Sequence, residues 1–155
     1  MCAGDVLIPA EAYIIRFVQE DTDVRDRLND MQQLTLDALE AAAAPMTAYE
    51  VLDALKATRP TAAPPTAYRA LTKLIALGLV HRLESLNAYV ACSGGHGDAD
   101  PAFSICDDCG HVDELSDPTI AATLTQMATA ASGGFAPTKH VVELHGRCGK
   151  CRGVA

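Results

Sequence analysis

Two cysteine pairs constrain this chain more than any other feature of it. They read Cys106-Asp-Asp-Cys109 and Cys148-Gly-Lys-Cys151, about 40 residues apart. A two-residue gap lets both sulfurs of a pair turn onto one ion, so closing the pairs on each other staples a single C-terminal module. Gly110 after Cys109, and Gly149 after Cys148, are the small residues that a tight knuckle needs. A tetrahedral four-thiolate site selects zinc first and iron second. Two disulfides or a redox pair would use the same residues in an oxidising compartment. The opening of the chain does not read as a signal peptide, because Asp5 interrupts it and no long apolar run follows. The expectation is therefore a cytoplasmic protein in a reducing compartment, where this spacing reads as structural zinc.

The 155 residues allow one or two small domains. Three Phe, four Tyr and no Trp predict thin cores, for which a metal staple makes physical sense. No run of 18 apolar residues occurs, so no membrane span is expected.

The net charge of −8 argues against nucleic acid, but its distribution softens the argument. Residues 1–44 hold nine acids and three bases, residues 45–91 three acids and five bases, and residues 92–155 eight acids and four bases. Only the middle stretch is basic, and a DNA footprint needs local rather than overall positive potential.

That stretch has an order of its own. A helix is predicted over 29–44, with Leu28, Met31, Leu34, Leu36 and Leu39 on its apolar side, and Pro45 ends it. Thr47 and Glu50 form a capping box for the next helix, which runs to about Ala57. The TRPTAAPP stretch at 58–65 reads as a connector. Thr66 then caps a helix over 67–77, stopped by Gly78. Its inward face is Ala67, Ala70, Leu71, Leu74 and Ile75, and its outward face Tyr68, Arg69, Thr72 and Lys73. Two short strands follow, 79–84 and 86–91, with a bend at 85–87. Three short helices and a hairpin are the order of a winged helix-turn-helix, whose third helix enters the major groove. The expected DNA-binding set is Arg59, Thr66, Tyr68, Arg69, Thr72, Lys73 and Arg82: Tyr68 and Thr72 for base edges or phosphate, Arg69 for guanine or phosphate, and Lys73, Arg59 and Arg82 for phosphate. Arg69 and Lys73 are also spaced as on any solvated helix face.

Upstream, Pro9 opens a short helix reaching Val18, and an acidic run follows. Downstream, strands are expected at 102–105, 112–115 and 138–144. A helix from Pro118, capped by Ser116 or Asp117, lies between the last two, with Ile120, Leu124 and Met127 on one face. This small α/β layer leaves open sheet edges, which favours dimerisation. The fold class is thus α+β, divided into a winged-helix DNA-binding domain with an N-terminal extension (1–91), a hinge (92–101), and a dimerisation and structural-zinc domain (102–155).

A second set of ligand types surrounds the module boundary: His81 on the wing, Cys92 at its end, His96 and Asp98 in the glycine-rich hinge, and Glu114 after the first cysteine pair. One thiolate, two imidazoles and one carboxylate can make a tetrahedral zinc site that clamps the hinge. The same residues also read as hinge surface, a small buried thiol and a solvent-facing acid. His111, His140 and His145 are further available ligands.

PPTAYRALTKLIALGLVHRLESLNAYVAC at 64–92, FSICDDCGHVDE at 103–114 and HVVELHGRCGKC at 140–151 carry a specific resemblance. Through them the chain, from about residue 28 to 151, resembles the ferric uptake regulator family, and within it the zinc-sensing branch. The resemblance implies a homodimer of winged-helix and α/β domains that binds palindromic double-stranded operators when loaded with metal, repressing uptake genes when zinc is plentiful. It implies two zinc ions per protomer. The structural ion would be held by Cys106, Cys109, Cys148 and Cys151, and the regulatory ion by His81, Cys92, His96 and Glu114, with Asp98 able to replace or join His96. Tyr68 and Arg69 match the family's recognition-helix pair. A thiolate at Cys92 favours zinc where iron- and peroxide-sensing relatives tend to use nitrogen and oxygen. The chain departs from the family at Leu28-Asn29-Asp30-Met31-Gln32, where a basic LTPQR-like word is usual.

A closed four-thiolate site leaves no position for substrate, and no nucleophile–base pair stands out, so no enzyme is expected. The competing expectation is a zinc-stapled protein-interaction or metal-buffering module with weak DNA binding, consistent with the acidic balance.

Overall fold

The computed structural model describes residues 24–42, 44–92, 101–115 and 117–153. The expected helix ending at Val18, His96, Asp98 and the cap candidate Ser116 lie outside these residues. Helix α1 (Asp30–Ala42), the two-residue strand β1 (Met46–Thr47), α2 (Ala48–Thr58) and α3 (Pro64–Ala76) lead into the hairpin β2 (Val80–Leu83) and β3 (Ala88–Ala91). The sheet order β1-β3-β2 is antiparallel throughout. The C-terminal module contains β4 (Ala102–Cys106), β5 (Val112–Leu115), α4 (Pro118–Ala131), β6 (Val142–Gly146) and a last turn of helix, α5 (Gly149–Arg152). Its sheet order is β5-β4-β6, with β4 antiparallel to β5 and parallel to β6.

Leucines at helical spacing build the first core. Leu36 and Leu39 of α1, Val51, Leu52 and Leu55 of α2, and Leu71 and Leu74 of α3 bury one another beneath Val80 and Tyr89 of the wing. Thr35 is a buried polar residue in this core, and its hydroxyl donates to Met31 O at 2.7 Å, so its burial leaves no polar group stranded. The capping box holds at α2: Thr47 accepts from Glu50 N at 3.3 Å, and Glu50 accepts from Thr47 N at 2.7 Å.

Helix α3 starts earlier than its sequence suggests. Its N-cap is Ala63, and Pro64 and Pro65 occupy the first turn. A proline there has no N–H to leave unpaired, and its φ already suits a helix, so the double proline opens α3 where a connector was expected. Thr66 lies within that turn, and its N–H bonds Ala63 O at 2.8 Å; it does not cap the helix. Ile75, expected inward, is exposed. Gly78 takes φ +71° just past the C-cap, the left-handed geometry that ends α3 and turns the chain into the wing.

The C-terminal module is built differently. No residue of α4 is buried, and Met127 is 63% exposed. Strand β6 begins at Val142, not Thr138, and runs on through His145 to Gly146, because its parallel register pairs Ala102 with Val142 and Cys106 with Gly146. His140 therefore lies off the strand, with its Nε2 3.0 Å from the Thr125 hydroxyl of α4.

A second, small apolar cluster joins the modules. Leu83 of the wing packs with Phe103 and Ile105 of β4, flanked by Val90 and Val112.

Candidate metal centres and nucleic-acid interface

The ends of the C-terminal sheet bring the cysteine pairs together. Cys106 closes β4, Gly110 turns the knuckle at φ +72°, and Cys148 caps α5, which carries Cys151. All four sulfurs lie within 4.8 Å of one another, and those of Cys109 and Cys148 are 3.8 Å apart. A tetrahedron with Zn–S bonds of about 2.3 Å has sulfur–sulfur edges of about 3.8 Å, so the donor set fits zinc. None of the described cysteines is in a disulfide. The backbone also favours one thiolate. The N–H of Cys148, 3.3 Å from Cys106 Sγ, and then that of Cys109 lower the Cys106 thiol to about 6. Hydrogen bonding to the sulfurs of Cys109 and then Cys148 pushes the Cys151 thiol up to about 12. Four sulfurs this close cannot all ionise unless a cation takes up their charge.

The second group forms across the junction. His81 comes from β2, Cys92 from the residue after β3, and Glu114 from β5. The β2–β3 register sets Val80 opposite Ala91, which leaves Cys92 just beyond the ladder, held by its N–H to Leu79 O at 3.0 Å. Their ligand atoms lie within 4.8 Å of one another. Glu114 Oε1 is 3.7 Å from His81 Nε2 and accepts from the Cys92 thiol at 3.9 Å. The Glu114 side chain is only 7% exposed and that of His81 20%, so the carboxylate is drawn away from water toward soft and nitrogen donors. The His81 ring stands 5.5 Å from that of Phe103, the residue paired with Glu114 in the sheet. A cleft of about 280 Å³ lined by Leu39, Pro45, Phe103, Cys92 and Glu114 opens beside the group. One nitrogen, one sulfur and one carboxylate oxygen are three of the four donors of a zinc tetrahedron.

The expected DNA face is only partly uncommitted. Tyr68, Arg69, Thr72 and Lys73 are all exposed on α3. The Thr72 hydroxyl donates to Tyr68 O at 2.8 Å, and Arg69 lines a shallow groove with Thr66 and residues 29–32 at the start of α1. Arg59 is paired with Asp30, its Nε donating to Oδ2 at 3.1 Å. Asp30 stands in the Leu28-Asn29-Asp30-Met31-Gln32 stretch, so an acid there engages a phosphate candidate. Arg82 bonds Asn87 Oδ1 at 3.1 Å and pairs with Glu84 at 3.3 Å across the wing tip.

Sequence reasoning missed one constellation. Glu143 of β6 accepts the N–H groups of Glu84 and Ser85 in the wing turn, at 2.6 and 2.9 Å. His145, two residues on, lies 2.9 Å from the Ser85 hydroxyl through Nε2 and 3.0 Å from Asp107 through Nδ1. The only signal was the Glu-x-His alternation, which puts both side chains on one face of a strand. Burial is the largest influence on the Glu143 carboxyl and raises it, but the Ser85 hydroxyl and the two N–H groups outweigh it and hold it below its ordinary value.

A winged helix continuous with a small α/β layer, with one thiolate group at the end of β4 and one mixed-donor group at the junction, defines a class of two-module winged-helix proteins equipped for metal. Residues 27–145 match the model of the ferric uptake regulator family. This chain belongs to that family. It is 39% identical over 125 residues to the zinc uptake regulation protein of Escherichia coli (strain K12), covering 78% of this chain and 69% of the relative. The solved structure of a zinc uptake regulator complexed with zinc and DNA superposes with a TM-score of 0.78 at 32% identity, over 95% of this chain and 98% of that one. The holo form of XcZur gives 0.74 at 38% identity, over 91% and 98%. Among the described residues no helix is long and apolar enough to cross a membrane.

Proposed function

We propose that this protein is a zinc-responsive transcriptional repressor of metal-uptake genes that acts in the cytoplasm as a homodimer on a palindromic operator. The observation that carries the reading is the meeting of His81 of β2, Cys92 just after β3 and Glu114 of β5, from both modules, within 4.8 Å. Cys106, Cys109, Cys148 and Cys151 hold a permanent structural zinc. His81, Cys92 and Glu114 hold the regulatory one, with His96 as fourth ligand and Asp98 as its substitute. The division into a DNA-binding domain (1–91), hinge (92–101) and dimerisation domain (102–155) follows from those roles.

Zinc, when bound at the junction, supplies a compact positive centre that takes a thiolate, an imidazole and a carboxylate together. His81 and Cys92 flank the wing hairpin at its base. Drawing both onto Glu114 fixes the wing, and α3 with it, against the C-terminal module. In a dimer this sets two α3 helices about 34–36 Å apart, or a multiple, on one DNA face. Tyr68, Arg69, Thr72 and Lys73 then contact bases and backbone, with Thr66, Arg59 and Arg82 at the margins; Arg59 must exchange Asp30 for phosphate to take part. Metal and DNA select the same state, so each tightens the other. The dimer reading is supported by the exposed Met127, Phe135, Val141 and Leu144 of the C-terminal module. The reading assigns no catalytic role.

The test measures zinc per protomer before and after mild chelation, with operator binding on the same samples. Two ions falling to one, with loss of specific binding and a retained dimer, is the expected result. A single constant zinc with unchanged binding would sink the sensor assignment. Failure to bind a broad set of operators in either state would favour the zinc-stapled interaction module, to which the engaged Arg59 and Arg82 lend support.

A further inference from the structure

We propose that Glu143 and His145 are positioning residues that latch the tip of the wing to the C-terminal module, so that the junction site and the latch act as two coupled anchors on one hairpin. This rests on the regulatory role assigned above to His81, Cys92 and Glu114. The geometry is specific. The two oxygens of Glu143 divide between two successive N–H groups, Oε1 with Glu84 at 2.6 Å and Oε2 with Ser85 at 2.9 Å. A carboxylate accepting paired backbone N–H groups makes charge-assisted bonds, stronger than neutral ones. His145 adds the Ser85 hydroxyl at 2.9 Å and is itself aimed by Asp107 at 3.0 Å, inside the knuckle between Cys106 and Cys109. Glu143 and His145 pair in register with Phe103 and Ile105, the residues that Leu83 packs against, so the latch closes the rim of an apolar contact.

Ser85, His145 and Asp107 share the order of a nucleophile, base and orienting acid. Hydrolysis would need free donors for an oxyanion beside the serine. The N–H groups of Ser85 and Glu84 are the adjacent donors, and Glu143 takes both. The arrangement therefore ties a turn down rather than activating an attacking group.

A hairpin held at one point can swivel about it; one held at base and tip has a defined orientation. His81 and Cys92 meet Glu114 at the base, and Glu84 and Ser85 meet Glu143 at the tip. Ordering the wing by either anchor reduces what the other must order, which makes the two cooperative. The coupling is reciprocal: metal should protect the tip amides by the same factor by which the latch tightens metal.

The test compares the full-length protein with Glu143→Gln, which keeps the shape but leaves one N–H without its acceptor, and with Ser85→Ala, a milder change at the exposed tip should the first variant fold poorly. Two readouts are taken: amide hydrogen exchange at residues 84 and 85, and the free zinc concentration giving half-maximal operator binding. The expected result is faster exchange at those two amides, a zinc midpoint raised about tenfold in Glu143→Gln and less in Ser85→Ala, and the four-cysteine zinc retained. A general loss of stability would not move the zinc midpoint in this way. Unchanged exchange at residues 84 and 85, or an unchanged midpoint in a folded Glu143→Gln protein, overturns the latch. If the unaltered protein shows no zinc response, the functional reading has failed instead, and the exchange comparison still decides whether the tip is held.

Discussion

The two modules stay folded by different means. The winged module surrounds a continuous leucine core in which Leu36, Leu39, Leu55, Leu71 and Leu74 are at most 1% exposed. The C-terminal module has three strands, a helix with no buried residue, and four sulfurs within 4.8 Å. One is stabilised by burial within the chain. The other brings four thiols together and leaves Met127 of α4 and Leu144 of β6 exposed. The division suits the proposed zinc switch, in which the winged module is held by its own core and the junction group orients it.

The sharpest way to break this comparison is to remove a sulfur. A structural zinc contributes on the order of 10 kcal/mol to folding, so Cys106→Ser should unfold the C-terminal module and abolish the dimer. Hydrogen exchange should still show protected amides in α1–α3; loss of protection throughout would mean that the winged module is not independent. The converse change is Leu71→Ala, expected to cost the winged module about 2–5 kcal/mol by leaving a cavity. Denaturant unfolding should show that loss while zinc bound by the four cysteines is unchanged.

The next effect falls at the junction. Cys92→Ser should weaken the regulatory zinc at least tenfold, since even outer partners of metal ligands are worth about 10–100-fold in affinity. The variant should remain a folded dimer with one zinc, and zinc titration of operator binding measures the shift. An unaltered response would take Cys92 out of the switch.

The smallest effect is local to α2. Thr47→Ala should cost about 1 kcal/mol, read from the urea midpoint. The Thr47 N–H and hydroxyl hold the Glu50 carboxyl below its ordinary value of 4.5. A depressed carboxyl stabilises the fold above its unfolded value and loses that contribution as pH falls through the lower folded one. The urea midpoint of the unaltered protein should thus fall from about pH 4.5 downward, with a shallower acid slope in Thr47→Ala.

Much of this was legible in the chain. The leucine spacing of α1, the Thr47–Glu50 box and the stop at Gly78 are short-range signals, and each acts where it was read. The Cys-x-x-Cys spacing likewise announces a knuckle. Errors came where local and distant demands differ. Pro64 and Pro65 suit a connector or a first helical turn equally well, and packing of Ala67 and Leu71 on the core selected the helix. The start of β6 depends on a parallel register with β4, 40 residues earlier at Ala102↔Val142, which no local pattern encodes.

The sequence by itself determined the helices, the hairpin, the donor types at both candidate metal sites and the family. The helices and the hairpin rest on periodicity, capping and turn residues, interactions within a few residues, and the family on the motif words at 64–92, 103–114 and 140–151. Only the tertiary structure decided that His81, Cys92 and Glu114 meet, that Asp30 engages Arg59, and that Glu143 and His145 reach the wing tip across 58–60 residues. Such contacts depend on how the wing packs on the second sheet, where Leu83 is buried against Phe103 and Ile105.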